Sequence, residues 1–128
     1  MRLLLDTHSF IWWDLEPEKL SRRVFAALSD RANTVHVSLV SAWEIQIKSQ
    51  TGKLRLSNSL AEVINDHCAR FGFLIESITL EQILGLAELP LHHRDPFDRL
   101  LVAQAREGGF ELVSSDPHLA SYDVRLFW

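Results

Sequence analysis

The chain holds a single cysteine, Cys68, among its 128 residues. One thiol excludes a disulfide framework and a cysteine-based zinc site. Cys68 reads as a small apolar residue on a helix. Glycine is sparse, at 52, 72, 85, 108 and 109, and these positions form neither a GxGxxG turn nor a phosphate loop. That disfavours a nucleotide-binding module. Basic charge is also short: 13 Lys and Arg stand against 17 Asp and Glu, a formal net charge of -4. The balance runs against a generic nucleic-acid binder. The objection weakens where several acids share a bound cation. No apolar run is long enough to span a bilayer. The opening "MRLLLDTHSF" is broken by Asp6 too soon for a signal peptide, so the expectation is a cytoplasmic protein with no membrane association. His36, His67 and His118 show no HxxxH or HxH spacing, which argues against zinc. His92 and His93 read as solvated in a polar loop, and His8 stands two residues past Asp6.

What is present is an ordinary globular mixture, 47% hydrophobic and 23% charged, enough for one domain spanning 1–128. "RLLLD" (2–6) is a short apolar run suited to a strand buried on both faces. "TVHVSL" (34–39), "FLIES" (73–77), "FELVSS" (110–115) and "DVRLFW" (123–128) are further strand candidates. Helical patterns lie between them. "SFIWW" runs toward Pro17. "EKLSRRVFAALSDR" sets Leu20, Val24 and Leu28 four apart. "SAWEIQIKSQ" reads as a helix from Ser41, with Ser41 and Glu44 as a capping box. Ser59 opens another helix and Gly72 closes it. "TLEQILGLAEL" forms one more. In "RDPFDRLLVAQA" Asp95 fits the N-cap, Pro96 the first helical position and Asp98 the third. Strands alternating with helices at this length imply a parallel sheet covered on both faces, a three-layer α/β/α domain.

The acids then fall into a pattern. Asp6 ends the first strand, Glu44 lies in the first turn after the second, Asp98 opens a helix, and Asp116 follows the fourth strand. Ligands in such sheets bind at the carboxyl ends of strands. Capping explains each acid separately: Asp6 before "THSF", Glu44 with Ser41, Asp116 before Pro117. It does not explain why acids recur on one rim where serine or threonine would cap as well. A joint acidic site does. Carboxylates without cysteine or histidine spacing suit hard cations, magnesium or manganese. Such ions acidify a bound water and stabilise charge on a phosphoryl oxygen, so a phosphodiester is the natural substrate class.

Four ordered segments, "LLLDTHSFIWW", "VSLVSAWEIQIKSQTGKL", "HRDPFDRLLVAQA" and "LVSSDPHLASYDV", resemble the PIN-domain family. Within it they look most like VapC-type toxins of bacterial type II toxin–antitoxin pairs. The resemblance implies a central five-stranded parallel sheet and a magnesium-dependent endoribonuclease, with manganese an alternative. Asp6, Glu44, Asp98 and Asp116 take the positions of the family's metal-holding catalytic acids. Thr7 matches the small hydroxyl residue beside the first acid. Ser114 stands where threonine is common. Asp95 remains the helix cap. The implied partners are an RNA substrate, a cognate antitoxin and a second copy of the chain as a homodimer. Arg94, Arg99, Lys48, Lys53 and Arg55 are candidate phosphate contacts, which give affinity but no sequence choice. Trp12 and Trp13 are candidates for an antitoxin surface, with Phe10 and Ile11 in the core.

Rival readings are poorer. A haloacid-dehalogenase-like phosphatase needs an acid two residues after Asp6, where His8 stands. A phosphoacceptor receiver domain needs a lysine after "ELVSS", and none follows. The alternative that remains is a PIN-like scaffold that binds RNA or protein without cutting.

Overall fold

The computed structural model describes residues 1–92 and 94–128. The expected solvation of His93 lies outside the described residues; His92 is exposed. The strands are β1 (Arg2–Leu5), β2 (Thr34–Ser38), β3 (Leu74–Glu76), β4 (Glu111–Val113) and β5 (Leu126–Phe127). The helices are α1 (Thr7–Leu15), α2 (Arg22–Ser29), α3 (Leu39–Gln50), α4 (Leu60–Phe71), α5 (Leu80–Gly85) and α6 (Pro96–Gly108). Short 3-10 turns occupy Pro17–Lys19, Leu86–Glu88 and Pro117–Ser121.

All strands pair in parallel, in the order β3-β2-β1-β4-β5. β1 sits at the centre because its side chains have nowhere wet to go: Leu3, Leu4 and Leu5 are fully buried. Alternation along the strand divides them between two cores. Leu3 and Leu5 join Phe10, Val24, Leu28 and Val63 on one face. Leu4 joins Leu100, Leu101, Val102 and Leu112 on the other. The chain is thus a three-layer α/β/α domain. Strand order runs outward from β1 to β3, then jumps back across β1 to β4. The carboxyl ends of β1 and β4 therefore flank a topological switch point, where such sheets place their ligands.

The helix starts follow their caps. Ser59 accepts from Glu62 N, and Asp95 accepts from Phe97 N at 2.9 Å and from Asp98 N at 3.3 Å. Gly72 and Gly109 close α4 and α6 in the left-handed region that glycine adopts without strain. One start differs from expectation. α3 begins at Leu39, capped by Ser38, whose hydroxyl accepts from Val40 N at 3.0 Å. Ser41 is therefore inside the helix, and the Ser41–Glu44 capping box does not form. Glu44 stands in the second turn rather than the first. α2 likewise starts after Ser21, so Leu20 packs into the core from outside the helix. The helix expected over "TLEQILGLAEL" breaks into α5 and a 3-10 turn.

Candidate active site

Asp6 is the first residue beyond β1 and caps α1. Its Oδ1 accepts from Ser9 N at 2.8 Å. The Ser114 hydroxyl, at the end of β4, bonds the same carboxyl. Burial pushes the Asp6 carboxyl above its ordinary value, against the opposing pull of these hydrogen bonds. Ser114 Oγ also accepts from Asp116 N at 3.1 Å. One buried hydroxyl thus ties the ends of β1 and β4 together. Asp116 caps the 3-10 turn that follows, accepting from His118 N at 2.9 Å, with His118 Nδ1 at 3.0 Å.

Glu44 reaches the site from α3 and is 4% exposed. Its Oε2 accepts from Lys48 Nζ at 2.7 Å, one turn along the helix. Its Oε1 is buried with no hydrogen-bond partner among the described residues. A buried carboxylate oxygen left in that state is costly. Thr7 does not face outward. Its Oγ1 donates to Ser41 Oγ at 3.1 Å, which pins α1 to α3 just ahead of Glu44.

Asp98 feels the other acids electrostatically. Its pKa is pushed up to about 7, first by burial, then by the charges of Asp95, Asp6, Glu44 and Asp116. Exposed charges are largely screened beyond about 8 Å at physiological salt, so groups that shift one another's ionisation lie close together. Burial accounts for most of the displacement, and the further contribution of four carboxyls places them all near Asp98. The structure therefore brings Asp6, Glu44, Asp98 and Asp116 to one edge of the sheet. Asp95 contributes charge as well as its cap.

The basic candidates divide. Lys48 is paired with Glu44. Arg99 turns away: its guanidinium donates to the carbonyls of Leu86, Leu89 and Pro90 and to Tyr122 Oη. Those bonds place it as a clamp on the segment before α6. Arg94, Lys53 and Arg55 are exposed. Trp12 and Trp13 are half-buried, Trp12 against Trp128 and Trp13 against Phe25, Phe71 and Phe73. Sequence reasoning missed Ser9 and the cap at Ser38. The latter was signalled by a serine directly at the end of a β-branched run.

The family model of the PIN domain matches residues 3–125. A protein named Ribonuclease VapC22, from Mycobacterium tuberculosis, is 28% identical over 123 residues, covering 94% of this chain and 91% of that one. Among solved structures, VapBC2 from Rickettsia felis, bound to a DNA fragment from its promoter, aligns with a TM-score of 0.73 at 14% identity. It covers 98% of this chain and 96% of that one. FitAcB from Neisseria gonorrhoeae aligns with a TM-score of 0.62 at 19% identity, over 98% and 96% of the two chains. At these identities the structural likeness is one of fold.

Proposed function

This chain belongs to the PIN-domain family, and from that premise we propose that it is a metal-dependent endoribonuclease, the toxin of a toxin–antitoxin pair. The observation that carries the proposal is the gathering of Asp6, Glu44, Asp98 and Asp116 at one sheet edge, with Glu44 Oε1 buried and unpartnered and Asp98 raised first by its burial and then by the neighbouring acids. A fold gains nothing from crowding like charges unless something positive relieves them. The similarity to a protein named as a ribonuclease supports the choice of RNA.

The residues present fit a divalent cation. They offer hard oxygen donors, and the orphaned Glu44 Oε1 is an acceptor in need of a partner. Among the described residues, no group of three or more His, Cys, Asp or Glu side chains is set to hold an ion by itself. A site with few protein ligands suits magnesium, which keeps several of its waters. Asp6, Glu44, Asp98 and Asp116 are the candidates to hold it, one or two directly and the others through its waters. The ion supplies a more acidic water and positive charge against the phosphoryl oxygens. The chain's part is orientation. Ser9 N and the Ser114 hydroxyl fix the Asp6 carboxyl, Lys48 fixes one oxygen of Glu44 and leaves the other available, and Asp95 fixes the turn that presents Asp98. Arg94, Lys53 and Arg55 are exposed and would be free to meet a phosphate backbone. No protein nucleophile is needed.

The test is cleavage of single-stranded RNA with magnesium and again after chelation. Asp6→Asn, Glu44→Gln and Asp98→Asn should each lower cleavage by at least about a hundredfold, since even outer partners of metal sites cost 10–100-fold. Their circular dichroism should match the native chain. RNA bound but left intact by the native protein would favour the silent scaffold.

A toxin that cuts its host's RNA acts inside the cell and must be restrained there. The half-buried Trp13 lines a groove of about 640 Å³ with Phe25, Phe71 and His67, between α1, α2 and α4. That groove suits an amphipathic segment of an antitoxin. A homodimer belongs to the same proposal. Leu39, Trp43 and Ile47 stand four apart on α3, 42%, 58% and 39% exposed, as an apolar stripe for a second copy. Sedimentation at rising concentration tests it.

A further inference from the structure

The α6 segment from Leu100 to Ala105 is buried and apolar except at Gln104, which has no exposed surface at all. A leucine would fill such a place without the desolvation cost of an amide. Gln104 instead spends all its polar capacity. Its Oε1 accepts from the Ser38 hydroxyl at 2.5 Å. Its Nε2 donates to Ser77 O at 3.3 Å and to Gln82 Oε1 at 3.1 Å. Gln82 Oε1 accepts in turn from Thr79 N at 3.0 Å. The amide therefore joins α6 to the β2–α3 junction and to the β3–α5 junction. Both junctions lie at the sheet edge that carries the acids.

The spacing matters more than the satisfaction. Ser38 lies six residues before Glu44, and Gln104 lies six residues after Asp98. The start of α3 thus meets the middle of α6, while the middle of α3 meets the start of α6. The rings of Trp43 and Phe97, each one residue before an acid, touch at 5.1 Å between centroids. Both contacts describe one antiparallel register. A slip by one helical turn, about 5.4 Å, would part Glu44 from Asp98 by a comparable distance. The ring contact is greasy and tolerates sliding. The hydrogen bond does not.

We infer that Gln104 is a positioning residue, whose bond to Ser38 sets the register of α3 against α6 and thereby the spacing of Glu44 and Asp98. The inference rests on the active-site reading above, and its test separates the two. Spin labels at Gln46→Cys and Glu107→Cys, both exposed positions, would be introduced in a Cys68→Ala background. Their distance distribution reads the register without metal or RNA. Gln104→Met should shift or broaden that distribution relative to the native residue. In the unlabelled chain it should lower kcat by about tenfold or more, the scale expected of small misplacement. KM for single-stranded RNA should stay within about twofold. Should Gln104→Met fail to fold, Ser38→Gly breaks the same bond from the other side with a residue that an N-cap tolerates far better than alanine, and Ser38→Thr restores the hydroxyl and should rescue both readouts. A folded variant that keeps either the native distance distribution or the native kcat overturns the inference. If the native chain cuts no RNA, the nuclease reading falls alone, and the label distances by themselves decide whether Gln104 sets the register.

Discussion

At pH 7 the Asp98 carboxyl stands near the midpoint of its titration, raised to about 7 by burial and then by the four neighbouring acids. A carboxyl raised on folding binds its proton more tightly in the native state than in the unfolded chain. Its stabilising contribution is complete below the unfolded value and is lost as pH rises through the folded one. The metal-free protein should therefore melt at falling temperature between about pH 4 and pH 8. Asp6, also raised, adds to the same trend. Asp98→Asn should melt higher than the native chain at pH 8 without metal and show a flatter pH dependence. A native melting temperature that rises over this window would contradict the placement of Asp98. The positions of Asp6, Asp98 and Asp116 were legible because strand ends and helix starts can be read from hydrophobic pattern. Glu44 was recognised but set one turn early, since both Ser38 and Ser41 can cap. The direction taken by Arg99 was not legible: its carbonyl partners at Leu86, Leu89 and Pro90 are freed only where the helix breaks into a 3-10 turn.

The single element that matters most is α6. Asp95 caps it and Asp98 rides in its first turn. Asp95→Ala should cost about 1 kcal/mol of stability, the usual loss of an N-cap. It should also move the ionisation of Asp98 toward acid, since Asp95 is the leading charge that raises it. Cleavage should change only modestly; complete loss with unchanged melting would put Asp95 among the metal ligands. Arg99 anchors the segment leading into the same helix. Arg99→Lys keeps the charge but not the fork of donors, so it should lower the melting temperature while leaving the salt dependence of RNA binding unchanged. A salt slope shallower by about one would instead place Arg99 on a phosphate. Caps at Ser59, Asp95, Gly72 and Gly109 carried the reading of α4 and α6, because each states a backbone requirement locally. α5 was overrun for the opposite reason. The apolar pattern of "ILGLAEL" continues through the 3-10 turn that ends it.

For the whole molecule, the acids and the Trp13 groove lie on different parts of the surface. The acids occupy the carboxyl edge around β1 and β4. The groove at Trp13 lies among α1, α2 and α4 on one face. Trp13→Ala should therefore weaken antitoxin binding more than it slows cleavage, read by calorimetric titration beside the cleavage rate. Trp13 also packs on Phe25, Phe71 and Phe73, so some loss of melting temperature is expected as well. Unchanged affinity would assign Trp13 to the core and move the docking surface elsewhere. The layer architecture was legible from alternating strands and helices. Strand order was not, because parallel strands read alike and only the packed molecule decides which neighbours β1 takes.

Asp6, Asp95 and Asp116 each cap the turn that follows them, and asparagine caps as well as aspartate. Their codons differ by a single base. A one-step mutation at Asp6 or Asp116 therefore removes charge from the site while keeping the bond that caps the following turn. If the acids act as proposed, lineages of this chain have a short path to a folded, inert copy with an unaltered surface. Such a copy would compete with active siblings for whatever restrains them. Inheritance of the fold and inheritance of the chemistry can part company here in one generation.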